Sequence, residues 1–150
     1  MTRPKNPKLV DALDVLLADH QVFYQKLRGY HWNVSGVRFF DLHARFESLY
    51  DLAADHVDAI AERIAMLGAR PSSTLKRYLA ATRLREDETA PSAQDMVRHV
   101  LQDLEKLTAW TRELAVVADE SGDRGTTALL DGLGDTYEKE CWMLRASLES

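Results

Sequence analysis

The chain has 150 residues, 45% of them hydrophobic, with a formal charge of −5 and a single cysteine, Cys141. That length suits one domain over residues 1–150 with a core of ordinary size, and one cysteine excludes an intrachain disulfide and fits a reducing compartment. The acidic balance argues against a broad nucleic-acid surface, no apolar run reaches the length of a membrane span and no signal-peptide pattern opens the chain, so a cytoplasmic location is expected.

A short arm over residues 1–7 leads into the first predicted helix, from Lys8 to about Val34. Leu9, Leu13, Leu16, Phe23, Leu27 and Val34 recur there at helical steps. His20 sits at a step of this stripe and is read as structural or surface. The turn Asn33-Val34-Ser35-Gly36 ends the helix, and the short link to Phe39 makes the next helix an antiparallel neighbour. Phe39, Leu42, Phe46, Leu49, Ala53, Val57, Ile60, Ile64 and Leu67 carry that second helix to Gly68, with Pro71 beyond it as a stop.

Between Ser72 and Pro91 the periodicity weakens, and Leu75, Tyr78, Leu79 and Leu84 mark a short helix within a long connection. Ser92 is an N-cap with Asp95 in the first turn. From there Val97, Val100, Leu104, Leu107, Thr111, Leu114 and Ala118 carry a third long helix, closed by Gly122. Asp123 to Thr126 opens the last helix, whose stripe runs through Leu130, Leu133, Tyr137, Cys141, Leu144 and Leu148. Cys141 in that stripe is read as a small buried hydrophobe. No strand pattern is present. Four long helices, with a crossover carrying a short helix between the second and third, describe an all-α, ferritin-like four-helix bundle.

Chemistry concentrates between Tyr30 and Leu67, where His31, His43, Glu47, Asp58 and Glu62 are possible metal ligands. His43/Glu47 and Asp58/Glu62 are i,i+4 pairs, each able to aim two side chains at one object. Glu47 and Asp58 are close to a whole number of turns apart, so the pairs share a face but lie about 16 Å from each other along the axis. One ion cannot touch both. If the same helix of a second subunit packs antiparallel about a two-fold axis, His43 and Glu47 of one chain meet Asp58 and Glu62 of the other, giving two identical sites per dimer. His31, just before the break, folds back toward His43. Two imidazoles and three carboxylates suit iron, zinc or manganese and lack the thiolates of a structural zinc site. Glu-x-x-His motifs, which build metal sites inside a single ferritin-like bundle, are absent. The competing reading is a solvated charged face.

The run His31-Trp32-Asn33-Val34-Ser35-Gly36, Phe40 with His43, Phe46-Glu47, and Asp58-Ala59-Ile60-Ala61-Glu62-Arg63 followed by Leu67-Gly68 resembles the ferroxidase signature of the Dps proteins, or miniferritins. The resemblance covers nearly the whole chain, and Glu47 stands where many members carry aspartate. It implies an iron site shared between subunits, two irons per site, with His31, His43 and Glu47 from one chain and Asp58 and Glu62 from its partner. It further implies a hollow dodecamer built from two-fold dimers. Ferrous iron is oxidised in such a shell, with hydrogen peroxide preferred over dioxygen, and stored as ferric mineral, joining iron storage to oxidative-stress protection.

The same resemblance places the acidic residues at the junction of the last two helices, Asp119, Glu120, Asp123 and Asp131, at pores that admit ferrous ions. The alternative there is an acidic helix end and N-cap. Trp32 beside a ligand is read as an electron donor under excess oxidant or, more commonly, as interface core. His56 and His99 stand alone and read as solvent-facing. Members that bind DNA do so through basic tails, but this arm offers only Arg3, Lys5 and Lys8, and Leu148-Glu149-Ser150 has no basic tail, so DNA binding is expected to be weak or absent. Two rival functions remain, a nucleoid protein that compacts DNA with little catalysis and a shell that sequesters zinc or manganese.

Overall fold

The computed structural model describes residues 4–149, so Arg3 of the basic arm lies outside the described residues. Five helices follow in order: α1 Pro7–Asn33, α2 Phe39–Met66, α3 Leu75–Ala81, α4 Ala93–Glu120 and α5 Arg124–Leu148. The described residues contain no strand.

Each boundary has a local cause. Asn6 caps α1, its side chain accepting from the Leu9 amide, with Pro7 at the first helical position where no amide is needed. Ser92 accepts from Asp95 N to open α4, and Asp123 accepts from Thr126 N to open α5. Gly36, Gly68 and Gly122 hold positive φ at 102°, 89° and 79° where the chain leaves α1, α2 and α4. The short helix ends at Ala81, so Leu84 lies beyond it, yet Leu84 is still buried.

The helices α1, α2, α5 and α4 pack in that cyclic order, which puts α2 and α4 at opposite corners; α3 lies against α1. The connection from α2 to α4 therefore crosses the bundle. The apolar stripes close on one core, with Leu9, Leu13, Leu16, Phe23, Leu27, Phe46, Leu49, Ile60, Ile64, Val97, Leu104, Leu107, Leu130 and Tyr137 all nearly or fully removed from solvent.

Polar ties fix the crossover and the helix pairs. The carboxylate of Asp19, fully buried on α1, accepts from the Arg83 amide at 2.6 Å, from Arg83 Nε at 2.9 Å and Nη2 at 2.6 Å, and from Thr82 Oγ1 at 3.1 Å. The Arg83 guanidinium also lies 3.9 Å from the Trp110 ring centre, tying the crossover to α4. Lys26 and Asp103 form a largely buried pair at 2.7 Å between α1 and α4.

Candidate metal centre

The end of α1 and the start of α2 bring His31 and His43 together. Their rings stack with centres 3.7 Å apart and planes within 13°. Nδ1 of His31 lies 2.6 Å from the His43 carbonyl oxygen, and Nδ1 of His43 lies 2.7 Å from the His31 carbonyl oxygen. A carbonyl only accepts, so both Nδ1 atoms carry hydrogen, and in the neutral ring the lone pair is on Nε2. This is how ligand histidines are held, the inner nitrogen donating to a fixed acceptor and the outer one left for metal. Phe39 stacks on His43 at 4.9 Å and Tyr50 meets His31 edge-on at 5.3 Å, closing the ring faces.

Glu47 stands exposed one turn after His43, with the Tyr50 hydroxyl donating to its Oε1 at 3.4 Å. Desolvation first, then the charges of Glu47 and Asp51, hold the Tyr50 phenol above its ordinary range and keep it a donor. Asp58 and Glu62 lie exposed farther along α2. Among the described residues of this one chain, no three His, Cys, Asp or Glu side chains gather into a metal-holding group. The fold thus brings His31 to His43 but gathers none of Glu47, Asp58 and Glu62 with them into a three-ligand group, so the expected half-site of His31, His43 and Glu47 is incomplete in the single chain.

Trp32 is 55% exposed, and the Arg28 guanidinium lies over its ring at 4.8 Å. At the other end of the bundle, Asp119, Glu120 and Asp131 are exposed. Asp123 is engaged locally, capping α5, accepting from Thr126 Oγ1 at 2.5 Å and pairing with Arg63 at 2.8 Å. These contacts, led by the Thr126 hydrogen bonds among the factors that lower it, hold the Asp123 carboxyl below its ordinary range despite desolvation. Asp131 lies 3.7 Å from Arg112.

Neither His56 nor His99 stands alone, and His56 is also not solvent-facing, whereas the His99 side chain stays 41% exposed. His56 turns inward, its Nδ1 2.8 Å from the Tyr137 hydroxyl. His99 sits 3.1 Å from the Tyr30 hydroxyl, which donates to Asp87 at 2.5 Å. Their partners lie 81 and 69 residues away in sequence, so no local pattern announces them. His20 is fully buried at its stripe position and so not at the surface, and Cys141 is buried in the apolar stripe of α5.

The ferritin-like domain model matches residues 10–150. A DNA protection during starvation protein of Bacillus anthracis is 38% identical over 143 residues, covering 95% of this chain and 98% of the relative. The crystal structure of a Dps protein from Vibrio cholerae O1, described as a member of the ferritin-like diiron-carboxylate superfamily, superposes with a TM-score of 0.92 at 39% identity, covering 95% of this chain and 89% of that one. The chain belongs to the Dps family of ferritin-like proteins. A Dps structure from Staphylococcus aureus shares the fold over 99% of both chains, with a TM-score of 0.94 at 31% identity. Membership of the Dps family supports iron storage and stress protection as the general role of the protein. No helix among the described residues is long and apolar enough to cross a membrane.

Proposed function

We propose that this Dps protein oxidises ferrous iron with hydrogen peroxide at two sites shared across a two-fold dimer, and stores the ferric product inside a closed dodecamer. Iron is the substrate and cargo of this chemistry. The observation that carries the reading is the reciprocal pinning of His31 and His43, which spends both Nδ1 protons on carbonyls and leaves two Nε2 atoms free for metal, with Glu47 one helical turn beyond His43. Such a half-site lacks charge. Asp58 and Glu62 supply it from the partner, because on their own chain they lie about 16 Å and about 22 Å along α2 from Glu47.

In the shared site His31 and His43 fix geometry, while Glu47, Asp58 and Glu62 offset the ferrous charge and favour the harder ferric product. Two ferrous ions give two electrons to one peroxide, its O–O bond breaks and both oxygens leave at the level of water, so no hydroxyl radical escapes. The ferric ions then hydrolyse and pass inward as mineral. Acidic side chains at the α4–α5 junction, Asp119 and Asp131 with Asp123, would draw ferrous ions toward the shell. The net charge of −5 opposes DNA binding at moderate salt and keeps that activity weak or absent.

The test is anaerobic loading with about two ferrous ions per shared site, followed by peroxide and the rise of ferric absorbance, in wild type and Asp58→Asn. The expected result is fast oxidation in wild type and its loss in the variant. Equal slow oxidation in both proteins would overturn the shared site. Tight zinc or manganese uptake without peroxide consumption would replace it with metal sequestration.

A further inference from the structure

A hydrogen-bonded line crosses the core from α1 through α5 to α2, built of His20, Tyr137 and His56. His20 is 0% and Tyr137 1% exposed. Nδ1 of His20 lies 2.7 Å from the Leu16 carbonyl oxygen, so Nδ1 carries the hydrogen and Nε2 offers a lone pair. Burial pushes the His20 pKa down to about 4, so the ring is neutral and Nε2 bears no second proton. The Tyr137 hydroxyl, in close contact with that Nε2, must therefore donate to it. Its oxygen is left to accept from His56 Nδ1 at 2.8 Å. One backbone carbonyl thus sets the direction of every bond in the line.

We infer that Tyr137 is a redox-active residue, a one-electron donor whose phenolic proton passes to His20 Nε2 as the electron leaves. A phenol that loses an electron becomes a strong acid, and its oxidation is eased where a base already accepts its hydrogen bond and can take the proton. His20 is that base, dry and fixed in the correct tautomer. The His56 N–H remains on the phenol oxygen and steadies the radical. Tyr30 offers a contrast. Its hydroxyl donates to Asp87, whose carboxyl is held down to about 2, first by the Thr89 side chain and then by Tyr30 itself, so that it takes a proton less readily.

The oxidant comes from the peroxide chemistry proposed above, on which this inference rests. When a site holds one ferrous ion, peroxide receives one electron, its O–O bond breaks to hydroxide and an equivalent of hydroxyl radical, and one more electron is needed. His56 stands two residues before Asp58 on α2, which places the line just behind the ligand face. Tyr137 supplies the electron, the oxidant becomes hydroxide, and the phenolic proton moves to His20, leaving a neutral tyrosyl radical beside an imidazolium. A later ferrous ion reduces the radical, and the proton returns from His20 to the phenol.

The experiment freezes protein loaded with one ferrous ion per shared site shortly after excess peroxide, and reads it by electron paramagnetic resonance. Wild type should give a tyrosyl signal that narrows when the protein carries ring-deuterated tyrosine, and Tyr137→Phe should lose it. The variant removes only a hydroxyl, and its ferric absorbance at full loading should match wild type, which shows it folded and assembled. The same spectrum in both proteins, or a signal insensitive to tyrosine deuteration, would overturn the inference. An iron-free arm uses photogenerated tris(bipyridyl)ruthenium(III) as the oxidant. A signal there that depends on Tyr137, in a protein that fails to oxidise iron, would sustain the redox residue while removing the ferroxidase; no such signal in a protein that does oxidise iron would remove only the redox residue.

Discussion

At the scale of single residues, the core holds two polar groups with opposite accounts. Thr111 is fully buried on α4, and its Oγ1 is the buried side-chain polar atom without a partner among the described residues. Thr111→Val keeps the shape and removes the unpaired hydroxyl, so we expect a gain of about 1 kcal/mol in urea unfolding. His20 is paired and, while Tyr137 keeps its proton, is neutral at neutral pH. Its folded pKa of about 4 lies below the ordinary 6.5, so between those values the unfolded chain binds a proton that the folded chain refuses. Stability should fall as pH drops through that window, by about 1.4 kcal/mol per pH unit for this one group. Urea midpoints measured from pH 7 down to 4 check this, with a shallower slope expected in His20→Gln. The stripe of α1 placed His20 at a step between Leu16 and Phe23 but left it open between a structural and a surface position, and the bundle buries it. Its partner was not readable, because Tyr137 lies 117 residues away and only the packed bundle joins them.

At the scale of elements, boundaries followed from signals within a few residues of each helix end, which is why Asn33, Gly68, Ser92 and Asp123 marked them well. The path of the crossover did not. It depends on Asp19 meeting Arg83 across 64 residues, a contact that neither segment advertises alone. In Arg83→Ala the backbone amide and Thr82 still serve Asp19, but a buried carboxylate loses its counter-charge. We expect a loss of about 2 kcal/mol, below the full cost of breaking a wholly buried pair because the arginine is partly exposed. Hydrogen exchange should accelerate over residues 82–92 while the amides of α2 stay protected. Uniform acceleration across the chain would show that the clamp supports the whole bundle rather than its strap.

At the scale of the whole molecule, the shared-site proposal makes a demand that no single-chain site meets. A chain lacking His31 and His43 and a chain lacking Asp58 and Glu62 are each dead as homodimers. In a mixed dimer one of the two sites combines the defective halves, and the other combines both intact halves. Equal amounts of the two variants, unfolded and refolded together, should therefore recover about a quarter of the wild-type ferrous oxidation, while separately refolded proteins mixed afterward recover none. Absence of recovery after co-refolding would place the ligands within one chain. The i,i+4 pairs and their spacing made this arrangement legible as a proposition about two chains, although neither the partner nor the shell can be read from one helix.

The mutual grip of His31 and His43 also divides the proposed site into stationary and yielding parts. The imidazoles are seated on backbone carbonyls and walled by Phe39 and Tyr50, so they cannot follow an ion that leaves. The carboxylates of Glu47, Asp58 and Glu62 are exposed on the single chain and have no backbone seat of that kind, so they can swing. A site that oxidises iron for storage, as proposed, must let go of each ion without wearing loose. An anvil of fixed nitrogens with a jaw of movable oxygens does this: arrival is guided by the rigid side, and departure is by the soft one.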